Sequence, residues 1–385
     1  MYPEMEAYHC TIMRGGTSKG IFLMENELPQ NPQKRDRLLC AIFGSPDIRE
    51  IDGLGGADSL TSKAAIIGPS SRPDADVDYT FGQVSLTDEF VDYGGNCGNI
   101  SSAVGPFAIN CGLVRAVEPE TVVRIHMTNT GKILVAHVPV SGGKARVTGD
   151  YAIDGVPGTG AKIVLDWSQA VGGCTGKLLP TGNAKDVVQI EGRTYTVSIV
   201  DAGNIVIFIR AEELGLKGTE SAGEIDANAP LMAEIESIRG HICAQLGLVD
   251  DWREAATKTP YQPFFAIVSP PAPYACPNGG TVAAADIDFA SRLLFMLKMH
   301  KTYPISGTIA TGAAARVEGS VVWDLLSDEA RRNCVVRIGH PAGVIPVTAV
   351  GAGSGEQFHL TKLEACRTAR LILDGQVYVP RARLE

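Results

Sequence analysis

Tyr93-Gly94-Gly95-Asn96-Cys97-Gly98-Asn99-Ile100-Ser101-Ser102-Ala103-Val104 is the stretch on which the reading of this chain turns. A cysteine stands among three glycines and two asparagines, and a largely apolar run follows. The pattern predicts a helix over Ser101 to Asn110, capped by Asn99 or Ser101. Amides of a first helical turn lack internal acceptors and carry partial positive charge. They suit a carboxylate, and glycines let the backbone approach a ligand closely. A thiol at that place is a candidate reactive thiolate. The other eight of the nine cysteines mostly have apolar or loop neighbours, such as Cys40 in Leu38-Leu39-Cys40-Ala41-Ile42 and Cys243 in His241-Ile242-Cys243-Ala244. Buried small hydrophobes are what such contexts usually hold, so Cys97 stands apart.

Outward from this loop the chain reads as strands, turns and few helices. Towards the N-terminus, strands at His9 to Ile12 and Ile21 to Met24 flank Met13-Arg14-Gly15-Gly16-Thr17-Ser18-Lys19-Gly20, whose hydroxyls and amides could face an anion. Glu27 to Phe43 reads as a helix, with Leu28, Leu38, Leu39 and Ile42 apolar. A second glycine-rich segment, Ile51 to Lys63, leads into a strand at Ala64 to Gly68. Towards the C-terminus, strands are expected at Val122 to Met127, Ile133 to Val140, Thr194 to Val200, Ile205 to Ile209 and Phe264 to Val268. Helices are expected at Asn228 to Leu246 and Phe289 to His300, the latter with Leu293, Leu294 and Leu297 as core positions. Ser306 to Ala315 reads as a glycine loop entering a helix, and Ile338 to Gly343 as a tight loop between strands. Leu179-Pro180-Thr181-Gly182-Asn183 reads as a linker, which predicts domains 1–185 and 186–385, with the last strand free to return to the first domain. Each half holds strands around one helix opened by a polar small-residue loop, the pattern of two similar α+β domains.

Composition narrows the function classes. The 385 residues are 45% hydrophobic and 20% charged, ordinary for a globular chain long enough for two domains. Net charge is −9 with no basic patch, which argues against nucleic acid. No apolar run reaches membrane-spanning length and the N-terminus has no signal-peptide pattern. Scattered cysteines without CxxC spacing argue for a reducing cytoplasm and against a zinc or disulfide framework. Gly172-Gly173-Cys174-Thr175-Gly176-Lys177 fails as a phosphate loop, being one residue short and followed by Leu178. HExxH and a dinucleotide fingerprint are absent from the sequence, and there is no GxSxG nucleophile elbow: Gly16-Thr17-Ser18-Lys19-Gly20 has that spacing but joins two expected strands, not a strand to a helix. Of seven histidines only His340 lies in a glycine-rich polar loop, which makes it the one histidine candidate for ligand contact.

At Met13 to Gly20, Asp52-Gly53-Leu54-Gly55-Gly56-Ala57-Asp58-Ser59-Leu60-Thr61-Ser62-Lys63 and Gly95-Asn96-Cys97-Gly98-Asn99, the chain resembles the 2-methylaconitate cis-trans isomerase (PrpF) family, which includes 3-methylitaconate Δ-isomerase and 4-oxalomesaconate tautomerase. The match continues at Asp76-Val77-Asp78-Tyr79, Phe81-Gly82-Gln83-Val84, Pro180-Thr181-Gly182-Asn183, Gly339-His340-Pro341-Ala342-Gly343 and Arg367-Thr368-Ala369-Arg370. The resemblance implies a diaminopimelate-epimerase-like fold: two similar domains, each a central helix wrapped by a curved, mostly antiparallel sheet, with the active site in the cleft between them. It implies an isomerase of unsaturated di- and tricarboxylates that needs no cofactor or metal. Lys63 and Cys97 would be its proton-transfer pair, with Ser18 near the substrate. Epimerases of this fold oppose two cysteines. The second half here has no cysteine in a comparable loop, Cys334 sitting before an apolar strand pattern. That departure argues against amino-acid epimerisation, the alternative reading on this fold; a non-catalytic carboxylate-binding protein is another.

Moving a double bond takes a proton from beside a carboxylate and returns one two carbons away, through a dienolate-like anion. This needs a base and anion stabilisation. A neutral Lys63 could be the base, or a charged Lys63 could support a Cys97 thiolate. Thr17, Ser18, Ser62, Asn96 and Thr308 are expected to contribute hydrogen bonds. Amides at Gly98 and Asn99, and at Thr311, Gly312 and Ala313, are expected to grip carboxylates. The expected partner is a small polycarboxylate, with homo-oligomerisation left open.

Overall fold

Residues 2–384 are described in the computed structural model. The chain forms two compact units, Met1–Leu165 with Cys366–Glu385, and Asp166–Ala365. The division expected near residue 185 therefore falls earlier, and the Leu179 to Asn183 turn lies inside the second unit. The C-terminal segment returns to the first unit because strand β1 (Met5–Gly15) would otherwise leave one edge unpaired. Ala369–Pro380 pairs with it antiparallel, from Met5↔Pro380 to Gly15↔Ala369.

In the first unit β1 turns into β2 (Ser18–Met24) through Gly15↔Ser18, with Gly16 at φ 52° in the turn. A left-handed backbone there favours glycine. Helix α1 (Pro32–Phe43) follows, capped by the Asn31 side chain and begun by proline. It is shorter than the helix expected from Glu27. β3 (Lys63–Pro69) runs parallel to β2, and β4 (Val77–Val84) antiparallel to β3. Glu120–Met127 and Lys132–Ser141 extend the sheet. Successive strand residues face opposite ways. Ile21, Leu23, Ala64 and Ile66 pack with Leu38, Leu39, Ile42 and Phe43 of α1. Phe22 points the other way and meets Phe107.

Phe107 belongs to α2 (Gly98–Asn110), the unit's central helix. Every residue from Gly98 to Ile109 is buried. A helix that is apolar all round can only be core, and the sheet wraps it. Cys97 is its N-cap, not Asn99 or Ser101 as expected, and no side chain caps it.

The second unit repeats the plan around Ile305–Ala314, whose ten residues are all buried. Its sheet runs Arg193–Ala202, Asn204–Arg210, Phe264–Ser269, Phe289–Phe295, Val335–His340, Gly343–Ala352, His359–Arg367. The outer helix, Ala229–Gln245, packs Leu231, Ile235, Ile238 and Ile242 on this sheet. Two expectations are corrected here. Phe289 to His300 is not a helix: Phe289–Phe295 is a strand, and Met296 and Leu297, at φ 51° and 56°, turn it back into Lys298–Met299. An apolar run buried on both faces carries no period that separates the two states. Ser306, Gly307 and Thr308 are helix residues, not loop. Each unit is thus an α+β assembly of one buried helix in a mostly antiparallel sheet, as expected of diaminopimelate-epimerase-like domains. Among the described residues no helix is long and apolar enough to cross a membrane.

Candidate active site

Register decides what surrounds Lys63. Lys63 lies opposite Gln83, Ala65 opposite Phe81 and Ile67 opposite Tyr79. Directly paired residues share a face, so Lys63, Tyr79, Phe81 and Gln83 all lie on the α2 side of the sheet, away from α1. Lys63 is 2% exposed. Its Nζ donates to Gln83 Oε1 at 2.7 Å and sits 5.2 Å from the centre of the Phe81 ring. The Gln83 amide is oriented by donating to the carbonyls of Ser59 and Ser62. Lys63 also hydrogen-bonds Cys97. Burial lowers the lysine pKa, and Cys97 offsets this only in part.

Cys97 is buried where α2 begins. Ser101 Oγ donates to its carbonyl at 2.9 Å. The buried Tyr79 phenol faces Cys97 and Ser101, and desolvation pushes its pKa well up. The loop before Cys97 is tied to β4: Asn129 exchanges hydrogen bonds with the Phe81 backbone and donates to the Tyr93 carbonyl. Asn96 donates to Thr130 Oγ1 at 2.9 Å.

Asn99 joins the α2 start to the β1–β2 turn. Its Nδ2 donates to Thr17 Oγ1 at 3.1 Å, and its Oδ1 accepts from Thr17 N and from Arg367 Nε. Ser18 follows, buried, its Oγ without a hydrogen-bond partner. It shares a face with Gly20, where a Cβ would lie 2.8 Å from Ile100 Cδ1, so the Ser18 side chain is also on the α2 side. Gly15 lies tight against the backbone that opens α2: a Cβ there would lie 2.3 Å from the Asn99 carbonyl oxygen. That neighbour is backbone and cannot swing away. Gly15→Ala is expected to cost about 1–3 kcal/mol in urea unfolding, and to lower kcat by displacing the start of α2.

Ser62 differs from expectation. Its hydroxyl donates to Glu50 Oε2 at 2.5 Å, and Ala57 N donates to the same oxygen at 2.7 Å. Glu50 is buried at φ 44°. Ser62 and Glu50 therefore fix the glycine-rich segment that delivers Lys63.

In the second unit, Thr308 Oγ1 donates to the Pro304 carbonyl and Thr311 Oγ1 to the Gly307 carbonyl, so both hydroxyl protons are engaged within their own helix. Buried helical threonines bond back in this way. Gly312 packs on Val347, whose Cγ2 would lie 2.8 Å from a Cβ. His340 Nδ1 accepts from Ala342 N at 3.2 Å, holding the turn between Val335–His340 and Gly343–Ala352.

The first unit thus brings together Lys63, Cys97, Thr17, Ser18 and Asn99. Sequence reasoning gave no role to Gln83, Tyr79, Phe81, Glu50 or Arg367. The alternation Tyr79-x-Phe81-x-Gln83 marks one strand face, but only pairing with β3 shows that Lys63 shares it.

This geometry can move a proton: a buried amine of lowered pKa contacts a thiol at a helix start, beside a buried hydroxyl and a guanidinium. The PrpF protein family model matches residues 5–380. The 3-methylitaconate isomerase of Eubacterium barkeri is 52% identical over 376 residues, covering 97% of this chain and 98% of that one. The 2-methyl-aconitate isomerase of Shewanella oneidensis is 39% identical, covering 99% of each. A crystal structure of methylitaconate-delta-isomerase superposes with TM-score 0.82 at 51% identity, covering 99% of this chain and 98% of that one.

Proposed function

Because the chain belongs to the PrpF family, we propose that it is a cofactor-independent isomerase that shifts or reconfigures a C=C bond in an unsaturated di- or tricarboxylate, with 3-methylitaconate or 2-methylaconitate as substrate. The observation that carries this is Lys63, buried, held by Gln83 and in contact with Cys97. Burial favours the uncharged amine, which makes Lys63 the base that takes the allylic proton. Cys97 then returns a proton two carbons away as the thiol. The electron pair passes through a dienolate, and no oxidant, reductant or leaving group is involved. Amides opening α2 face the developing negative charge. Ser18 offers an unspent hydroxyl for a substrate oxygen.

Proton NMR in D₂O, without added cofactor, tests the reading. 3-Methylitaconate, 2-methylaconitate, cis-aconitate and 4-oxalomesaconate are supplied separately. Isomerisation of one of the first two, with deuterium entering an allylic position, is expected. Turnover of oxalomesaconate alone would reassign the substrate, and silence on all four would overturn the reading.

A further inference from the structure

Among the described residues four arginines are buried. Three have a visible reason to be. Arg239 is ion-paired with Glu236. Arg316 donates to the backbone carbonyls of Ala315, Ala330, Arg331, Asn333 and Ala349. Arg292 donates to two carbonyls and lies 4.6 Å from the centre of the Tyr274 ring. The fourth, Arg367, has only Asn99 Oδ1 at 3.2 Å and the Cys366 carbonyl at 2.9 Å. It forms no ion pair among the described residues; Tyr151, Cys366 and Asp154, in that order, oppose the desolvation of its charge without overcoming it.

A guanidinium carries five donors, and burying an uncompensated cation costs several kcal/mol. Two neutral acceptors do not offset that. Its pKa falls to about 10 through desolvation. The surroundings show what would compensate it. Asn99 ties Arg367 to the first turn of α2, two residues from Cys97. The same Asn99 bonds Thr17, next to Ser18 with its buried and unpartnered hydroxyl. A cation, a helix start and an unspent hydroxyl thus lie around one amide side chain.

We propose that Arg367 binds a carboxylate of the substrate, so that the charge it buries is neutralised only in the complex. This rests on the polycarboxylate reading above. The planar fork matches a carboxylate with two parallel hydrogen bonds. Arg367 selects a substrate bearing a carboxylate beyond the reacting allylic unit, and a monocarboxylate would forgo it.

Arg367→Met and Arg367→Lys separate this from a merely structural role. Tricarballylate, a saturated tricarboxylate that cannot be isomerised, is titrated calorimetrically, and thermal unfolding is followed with and without it. Wild-type protein is expected to bind and to gain Tm. Arg367→Met is expected to bind about 30-fold more weakly or worse, to raise KM more than it lowers kcat, and to unfold without ligand at a temperature no lower than wild type. A structural arginine would instead lower that temperature and leave the affinity intact, which overturns the proposal. If Arg367→Met does not fold, Arg367→Lys decides. It keeps the charge and loses the fork, so tricarballylate should bind more weakly than to wild type, and unchanged affinity overturns the proposal. Wild-type protein that binds neither tricarballylate nor any of the four unsaturated acids removes the polycarboxylate reading itself, and this inference with it.

Discussion

Replacing Lys63 with methionine is expected to lower kcat by about 10³-fold and to leave the protein at least as stable near neutral pH. The two effects share one cause. Burial holds the lysine below its ordinary pKa, so the folded state disfavours the ammonium. Between that lowered value and about 10.4, the unfolded chain holds a proton that the folded chain has released. Stability therefore rises with pH across this window, and below it the folded protein bears the full cost of a buried charge. Methionine is close in length and carries no charge. Its own penalty is the Gln83 Oε1 left without a donor, about 1–3 kcal/mol, against several for the buried ammonium. Urea unfolding between pH 7 and 10 checks this: wild type should gain stability over the variant as pH rises. The wild-type kcat/KM should climb with pH and level off below the ordinary lysine value. A variant retaining a tenth of wild-type kcat would remove Lys63 from the chemistry.

Cys97→Ala is expected to reduce isomerisation by about 10²- to 10⁴-fold while tricarballylate affinity stays within a few fold. In the proposed complex the α2 amides, Ser18 and Arg367 hold the anion, and none of them needs the sulfur. Cys97→Ser should be nearly as slow, because a serine hydroxyl is a much weaker acid than a thiol. Deuterium exchange separates the two roles. If Lys63 removes the proton and Cys97 returns one, Cys97→Ala still exchanges substrate hydrogen with D₂O while making no product, and Lys63→Met does neither. Product formation by Cys97→Ala at a third of the wild-type rate or faster would sink the assignment. Loss of exchange in both variants would make Cys97 the base.

Much of this could be read from the chain alone. The central helix was legible because Ile100 to Ile109 is apolar on every side once Ser101 and Ser102 spend their hydroxyls on the Cys97 and Asn99 carbonyls. Lys63 and Cys97 stood out as a resemblance across three glycine-rich segments in order. The strand at Phe289–Phe295 was misread because Leu293, Leu294 and Leu297 also satisfy a helical spacing. Pairing with the distant strands Phe264–Ser269 and Val335–His340 selects the extended form. Thr308 looked like a ligand hydroxyl for a similar reason: whether a threonine bonds back to its own helix depends on where that helix starts.

Local pattern determined which segments are helices and strands at most positions, and the resemblance to the PrpF family implied Lys63 and Cys97 as the proton-transfer pair. Tertiary structure decided their environment. The pairing Lys63↔Gln83 sets a glutamine and an aromatic ring on the amine. The return of the C-terminal strand brings Arg367 to Asn99 across 268 positions of sequence. The reason is physical: backbone preference acts over a few neighbouring residues, whereas the charge state of a buried amine or guanidinium depends on every group within a few ångströms, most of them supplied by register between distant strands.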